Sequence, residues 1–184
     1  MSFINKFKKI NNKIKILYYL KKYEIINFEL IEDHEYGYVV NVNGDVNLFN
    51  KHLKNIPFQF NIVKGDFICK YNFLKTLKCC PKVVHGKFDC SDNELKSLEY
   101  CPKIVNGDFY CQNNDLRIEG LKYLPTKIDS NNLYIGYNKC LNDLQDIQNF
   151  NKLREILNIK HEKENLLNIM NKENINKNTI INKI

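Results

Sequence analysis

The sequence predicts a solenoid of stacked chain turns. It should have a parallel β-sheet of about five short strands, an extended or turn-rich convex side, and α-helical caps at both ends. The first observation is a fixed period. Gly44, Gly65, Gly86 and Gly107 stand 21 residues apart, and Cys69, Cys90 and Cys111 keep the same step. So do Asn72, Asn93 and Asn114, and Leu53, Leu74, Leu95 and Leu116. The second is a two-residue alternation, Phe67-x-Cys69, Phe88-x-Cys90 and Phe109-x-Cys111, which marks the inward face of a short strand. The third is helical spacing of apolar residues on either side of the repeats.

The N-terminal element spans residues 1–27. Phe3, Phe7, Ile10, Ile14 and Leu17 recur at steps of 4, 3, 4 and 3, so residues 2–22 should form an amphipathic helix with that stripe facing the core. Residues 28–43 are a strand or hairpin lead-in, with FELIED and YVVNVN as strands. Asn43-Gly44 is a hairpin signal, yet Gly44 is also the first repeat glycine. Residues 38–49 therefore fit either a hairpin or the first coil.

Residues 44–141 hold the repeats. Three units share V-x-G-x-F-x-C-x-x-N-x-L-x-x-L-x-x-C-P, the last with two extra residues before Leu121. A weaker unit precedes them at 44–57, with Val46 and Leu48 in the Phe and Cys slots. Another follows at 132–140, with Leu133, Ile135 and Asn138 in the Phe, Cys and Asn slots. Five coils result. In each, the Asn ends the strand, and its amide can satisfy backbone groups where the ladder stops. Leu74 and Leu77 should fill the return path, Pro81 suits a turn or extended segment, and Gly65 allows a tight backbone. One unit cannot bury its apolar side alone, but stacked units can. Beyond them, Leu141, Leu144, Ile147, Phe150, Leu153 and Leu157 suggest a helix, and Leu166 to Met170 a second. These form a C-terminal cap at 142–170, before a low-complexity tail at 171–184.

This pattern resembles the leucine-rich repeat. The core L-x-L-x-x-N-x-L is matched by Phe67-x-Cys69-x-x-Asn72-x-Leu74, and again at 88–95 and 109–116. The Pro before each strand and the 21-residue period are similar to the short repeats of bacterial effectors. The wording V-x-G-D-F-x-C-x-x-N-x-L-x-S-L-E-x-C-P resembles more closely a group of bacteriophage repeat proteins, including the Y-x-x-N-x-x-G-x-V segment at 38–46. The resemblance covers about residues 38–141 and implies a leucine-rich-repeat-like solenoid with no particular function attached. The Lys/Asn-rich C-terminal stretch departs from the group.

Composition narrows the function classes. The chain has 184 residues, with 11 Phe and 11 Tyr, which is too aromatic for a disordered tail and long enough for one cored domain. There are 29 Asn, 26 Lys and 22 Ile and no Ala or Trp, a usage that AT-rich codons produce and that suits an AT-rich bacterium, phage or large DNA virus. No apolar run approaches the about 20 residues of a membrane span. The charged start lacks an apolar h-region, so no signal peptide is expected. With seven cysteines, free thiols in a reducing cytoplasm are expected.

The thiols read as core residues. The slot of Cys69, Cys90 and Cys111 takes Leu48 and Ile135 in the flanking units, and the slot of Cys80 and Cys101 takes Ile56 and Leu124. A slot that accepts Leu is apolar, and free Cys behaves there as a small hydrophobe. No metal site, cofactor, catalytic residue or small-molecule substrate is expected. Cys69, Cys90 and Cys111, with Asn72, Asn93, Asn114 and Asn138, form a structural ladder.

What remains is a surface. The strand residues between the inward ones should line a concave face that binds a protein partner. They are Asp66, Ile68, Lys70 and Tyr71, then Lys87, Asp89, Ser91 and Asp92, then Asp108, Tyr110, Gln112 and Asn113, then Tyr134 and Tyr137. Exposed aromatics on a rigid face are typical interface anchors. The net charge of +7 does not lie there. Residues 1–27 carry +6, residues 28–140 are neutral and residues 141–184 carry +1. A basic groove for nucleic acid is thus unsupported, and nucleic acid or membrane contact is an alternative confined to the N-terminal helix. A purely structural assembly role is a further alternative.

Overall fold

The computed structural model describes residues 3–126, 128 and 133–142, with side chains described for 9–126, 128 and 133–140. It is a β-solenoid of about four turns built from two sheets. The elements in order are α1 (Phe3–Lys22), β1 (Phe28–Asp33), β2 (Gly37–Val42), β3 (Val46–Asn47), β4 (Phe60–Val63), β5 (Phe67–Ile68) and β6 (Val83–Val84). They continue as β7 (Phe88–Asp89), β8 (Ile104–Val105), β9 (Phe109–Tyr110), a 3₁₀ helix (Ile118–Tyr123), β10 (Leu133–Tyr134) and α2 (Lys139–Asn142).

The strand alternation produces the second sheet, β10-β9-β7-β5-β3, entirely parallel. Its register places Val46, Phe67, Phe88, Phe109 and Leu133 in one column, so the 21-residue period becomes one coil per repeat. Phe67 and Phe88 stack with centroids 5.8 Å apart, and Phe88 and Phe109 at 5.3 Å. All three are fully buried, as are Leu74, Leu77, Leu95, Leu98 and Leu116 from the return leg.

The convex path is not merely extended or turn-like. It carries a second set of strands, ordered β1-β2-β4-β6-β8, parallel apart from the antiparallel β1-β2 pair. The cause is the β-branched pair before each repeat glycine, Ile62-Val63, Val83-Val84 and Ile104-Val105. Val63, Val84 and Val105 turn inward and are fully buried. Each full coil therefore has a strand in each sheet and an irregular return leg.

One open alternative is decided and one expectation is corrected. Val46-Asn47 pairs as part of the first coil, and the hairpin of the lead-in turns at 34–36. There the Asp33 carboxylate accepts the N–H groups of Glu35 and Tyr36, both at 2.9 Å, and Gly37 takes a left-handed φ of +73°. β2 then runs on toward Gly44, and Val46-Asn47 begins the first coil. The fifth unit is also incomplete: among the described residues it adds β10 to the second sheet and nothing to the first. Its longer spacing is absorbed by the 3₁₀ helix, which buries Ile118, Gly120 and Leu121. Gly120 has to be glycine, because a Cβ would lie 2.7 Å from the Lys96 carbonyl oxygen.

α1 forms as predicted but packs by a different face. Ile16, Leu20 and Tyr23 are buried against the hairpin end of the solenoid, whereas Ile10, Ile14 and Leu17 are exposed. Lys9 pairs with Glu32 and lies with Lys13 over the Tyr38 ring, fixing the helix to β1 and β2. Of the expected C-terminal cap only Asn142, in α2, is described, and the rest of 142–170 and the tail 171–184 lie outside the described residues. Among the described residues no helix is long and apolar enough to cross a membrane.

Candidate interaction surface

The Asn ladder sets where each strand of the second sheet ends. Asn93 Nδ2 donates to the carbonyls of Cys90 (3.1 Å) and Ser91 (3.0 Å) in its own coil and Cys69 (3.1 Å) in the coil before, and its Oδ1 accepts the N–H of Leu74 at 3.0 Å. Asn72, Asn114 and Asn138 make the corresponding bonds. Each amide thus stitches two coils where their ladders stop. Its backbone partners would otherwise be buried and unpaired, at about 1–3 kcal/mol each.

The residue before the ladder position turns left-handed in every coil: Asn50, Tyr71, Asp92, Asn113 and Tyr137 have φ between 50° and 55°. This turn swings their side chains away from the inward column. Asn and Asp tolerate it, whereas Tyr costs about 1–2 kcal/mol. Tyr71 and Tyr137 nevertheless occupy it and are 53% and 67% exposed.

The predicted face does not present itself evenly. In the central coil Asp89 and Ser91 are buried, because Ser91 Oγ donates to Asp89 Oδ1 at 2.6 Å and Lys70 Nζ lies 3.6 Å from Asp89 Oδ2. Lys87 Nζ pairs with Asp66 at 3.3 Å, and the Asp66 carboxylate also accepts the Lys87 backbone N–H. Asn113 Nδ2 donates to Asp92 at 2.8 Å. Ile68 and Lys70 are partly exposed. In the later coils Tyr110 and Tyr134 stack face to face, centroids 4.3 Å apart, and the Tyr110 hydroxyl donates to Asp108 at 2.8 Å. Burial and that carboxylate push the Tyr110 phenol well above its usual range. Gln112 Oε1 is buried without a hydrogen-bond partner among the described residues.

The exposed aromatics gather instead at the corner between strand and return leg in the first two coils. Phe49 meets Tyr71 edge to face at 5.5 Å, with Lys70 Nζ 5.8 Å and 6.0 Å from their ring centres. Next to them His52 stacks on Phe73 at 6.0 Å. Phe49, Tyr71 and Phe73 are 42%, 53% and 48% exposed. Sequence reasoning missed Phe49, His52 and Phe73. The signal was present: Phe73 stands between the inward Asn72 and Leu74, and Phe49 follows the inward Leu48, so both point outward.

The thiols are interior groups. Cys69, Cys80, Cys90, Cys101, Cys111 and Cys140 are buried and Cys79 is half-buried, and none of them is in a disulfide. Burial pushes Cys80, Cys90 and Cys111 well above the ordinary thiol range, and Cys101 to about 12. Among the described residues no group of three or more His, Cys, Asp or Glu side chains is placed to hold a metal ion. Comparison of the chain with protein-family models, with curated proteins and with solved structures finds no match.

Proposed function

We propose that the protein is a non-catalytic binding module that holds a protein partner through its second sheet, anchored on the aromatic corner of Phe49, His52, Tyr71 and Phe73. One observation carries this reading: outward-facing aromatic rings of two adjacent coils share one corner, and Phe49, Tyr71 and Phe73 are each more than two-fifths exposed. Rings on a rigid scaffold supply contact area at little entropic cost and are the residues in which binding energy concentrates. Tyr71 supports the reading further, because its left-handed backbone would be cheaper as Asn or Gly. The leucine-rich-repeat resemblance and the Asn-, Lys- and Ile-rich composition fit a cytoplasmic module encoded by a phage or virus.

The test replaces Tyr71 by Asn and Phe49 and Phe73 by Ser in one variant. These side chains are exposed, so folding should be unchanged by circular dichroism and thermal melting. Affinity capture with wild type and variant should then give partner lists that differ by the true ligand. Identical lists from two equally folded proteins would sink the proposal.

A further inference from the structure

Among the described residues nothing covers the longer apolar stripe of the helix that caps the solenoid. α1 is 20 residues long, about 30 Å at 1.5 Å per residue. It buries Ile16 and Leu20, with Tyr23 just beyond its end, and keeps Ile10, Ile14, Leu17 and Tyr18 at 48%, 59%, 39% and 59% exposure. At about 100° per residue these four positions fall within one narrow outward sector, and positions 3 and 7 share it. Lysines border it on both sides, positions 6 and 13 along one edge and positions 8, 15 and 22 along the other, and Lys21 lies in the same sector and closes the strip at its C-terminal end. Residues 1–27 carry seven Lys against one Glu.

We propose that this face of α1 docks the protein on an anionic lipid surface, lying in the headgroup plane. An apolar strip between two rows of lysines matches that environment. The strip enters the acyl boundary while the ammonium groups stay with phosphate headgroups, their stems covering apolar surface. Charge complementarity selects this occupant. A second copy would bring the same lysine rows against themselves. A nucleic acid would engage the lysines but leave Ile10, Ile14 and Leu17 facing a wet phosphate backbone. This face is distinct from the aromatic corner, so either can fail without the other.

The experiment is sedimentation of the full chain with phosphatidylcholine vesicles, with and without phosphatidylglycerol. The wild type should pellet with the anionic vesicles, weakly or not at all with the neutral ones, and progressively less as salt is raised. Ile14→Ser with Leu17→Ser should reduce the bound fraction at least tenfold while leaving the melting temperature unchanged, because both side chains are already in water. Lys15→Ala should weaken partitioning about fivefold, the effect of one lysine near an anionic surface. No pelleting on anionic vesicles overturns the proposal. So does equal pelleting on both vesicle types, or undiminished pelleting of the serine variant. A concentration-dependent dimer that the serine variant dissolves would equally overturn it, by showing that a second copy covers the stripe.

Discussion

An alanine Cβ at Gly86 would lie 2.3 Å from Asp66 Oδ1 and 2.7 Å from the carbonyl carbon of Gly65, and one at Gly107 would lie 2.7 Å from that of Gly86. The repeat glycines are therefore set by contact between coils, not by backbone hand, since none of them has a left-handed φ. At the bottom of the stack Gly44 has nothing within 4 Å of a built Cβ. The pair makes a prediction with an internal control. Gly86→Ala should cost about 1–3 kcal/mol as two coils are forced apart. Gly44→Ala should be neutral, or stabilise by about 0.5 kcal/mol through the stiffer unfolded chain. Urea unfolding of the two variants checks this, and equal effects would mean that the corners are not in contact. A similar direction along the stack explains why the first unit carries Lys51 in the Asn slot. The carbonyl of Leu48 and the N–H groups of Lys51 and Leu53 are served from above by Asn72. At this scale the sequence was legible wherever a side chain does one job in every coil. Phe, Cys, Asn and Gly recur because their neighbours recur. Asp89 and Ser91 were not legible as buried residues, because their burial depends on Lys70 in the preceding coil and on each other.

At the scale of elements, the N-terminal helix was legible as a helix and misread as to its face. It carries two apolar stripes. The longer runs through Ile10, Ile14 and Leu17, while the shorter one through Ile16, Leu20 and Tyr23 meets the hairpin. Periodicity identifies a stripe but not its partner, and here Lys9 and Lys13 fix the rotation by reaching Glu32 and Tyr38. A matched pair of substitutions tests the assignment. Leu20→Ala should destabilise by about 2–5 kcal/mol, the cost of emptying a buried leucine site, and Leu17→Ala should stay within about 0.5 kcal/mol. The reverse order in thermal or denaturant melts would show that the helix packs by its longer stripe. The strands of the first sheet escaped notice for a related reason. Two-residue β-branched segments such as Val83-Val84 are too short to show alternation, and the ladder formed with neighbouring coils makes them strands.

At the scale of the whole molecule, the interior holds thiols from every full repeat, and their protonation is tied to folding. Burial raises Cys79, Cys80, Cys90, Cys101 and Cys111, with neighbouring thiols adding to Cys80, Cys90 and Cys111. An unfolded thiol loses its proton near about pH 8.5. Between that value and the raised folded value, the native chain holds protons that the unfolded chain has released. The stability these thiols contribute is therefore complete below about pH 8.5 and is lost as pH rises. Each thiol gives a slope that approaches about 1.4 kcal/mol per pH unit once its unfolded form is ionised. Coils in a solenoid are stabilised by their neighbours, so ionising one interior thiol loosens the contacts on both sides of it. The expected result, under reducing conditions, is a urea midpoint that is flat from about pH 7 to 8 and falls steeply from about pH 8.5 to 10, before tyrosines and lysines titrate. Cys90→Val should reduce that slope by about a fifth, whatever it does to stability at neutral pH, because it removes one of five raised thiols. A midpoint that does not change up to pH 10 would mean that these thiols are in contact with water and that the interior is open along its length.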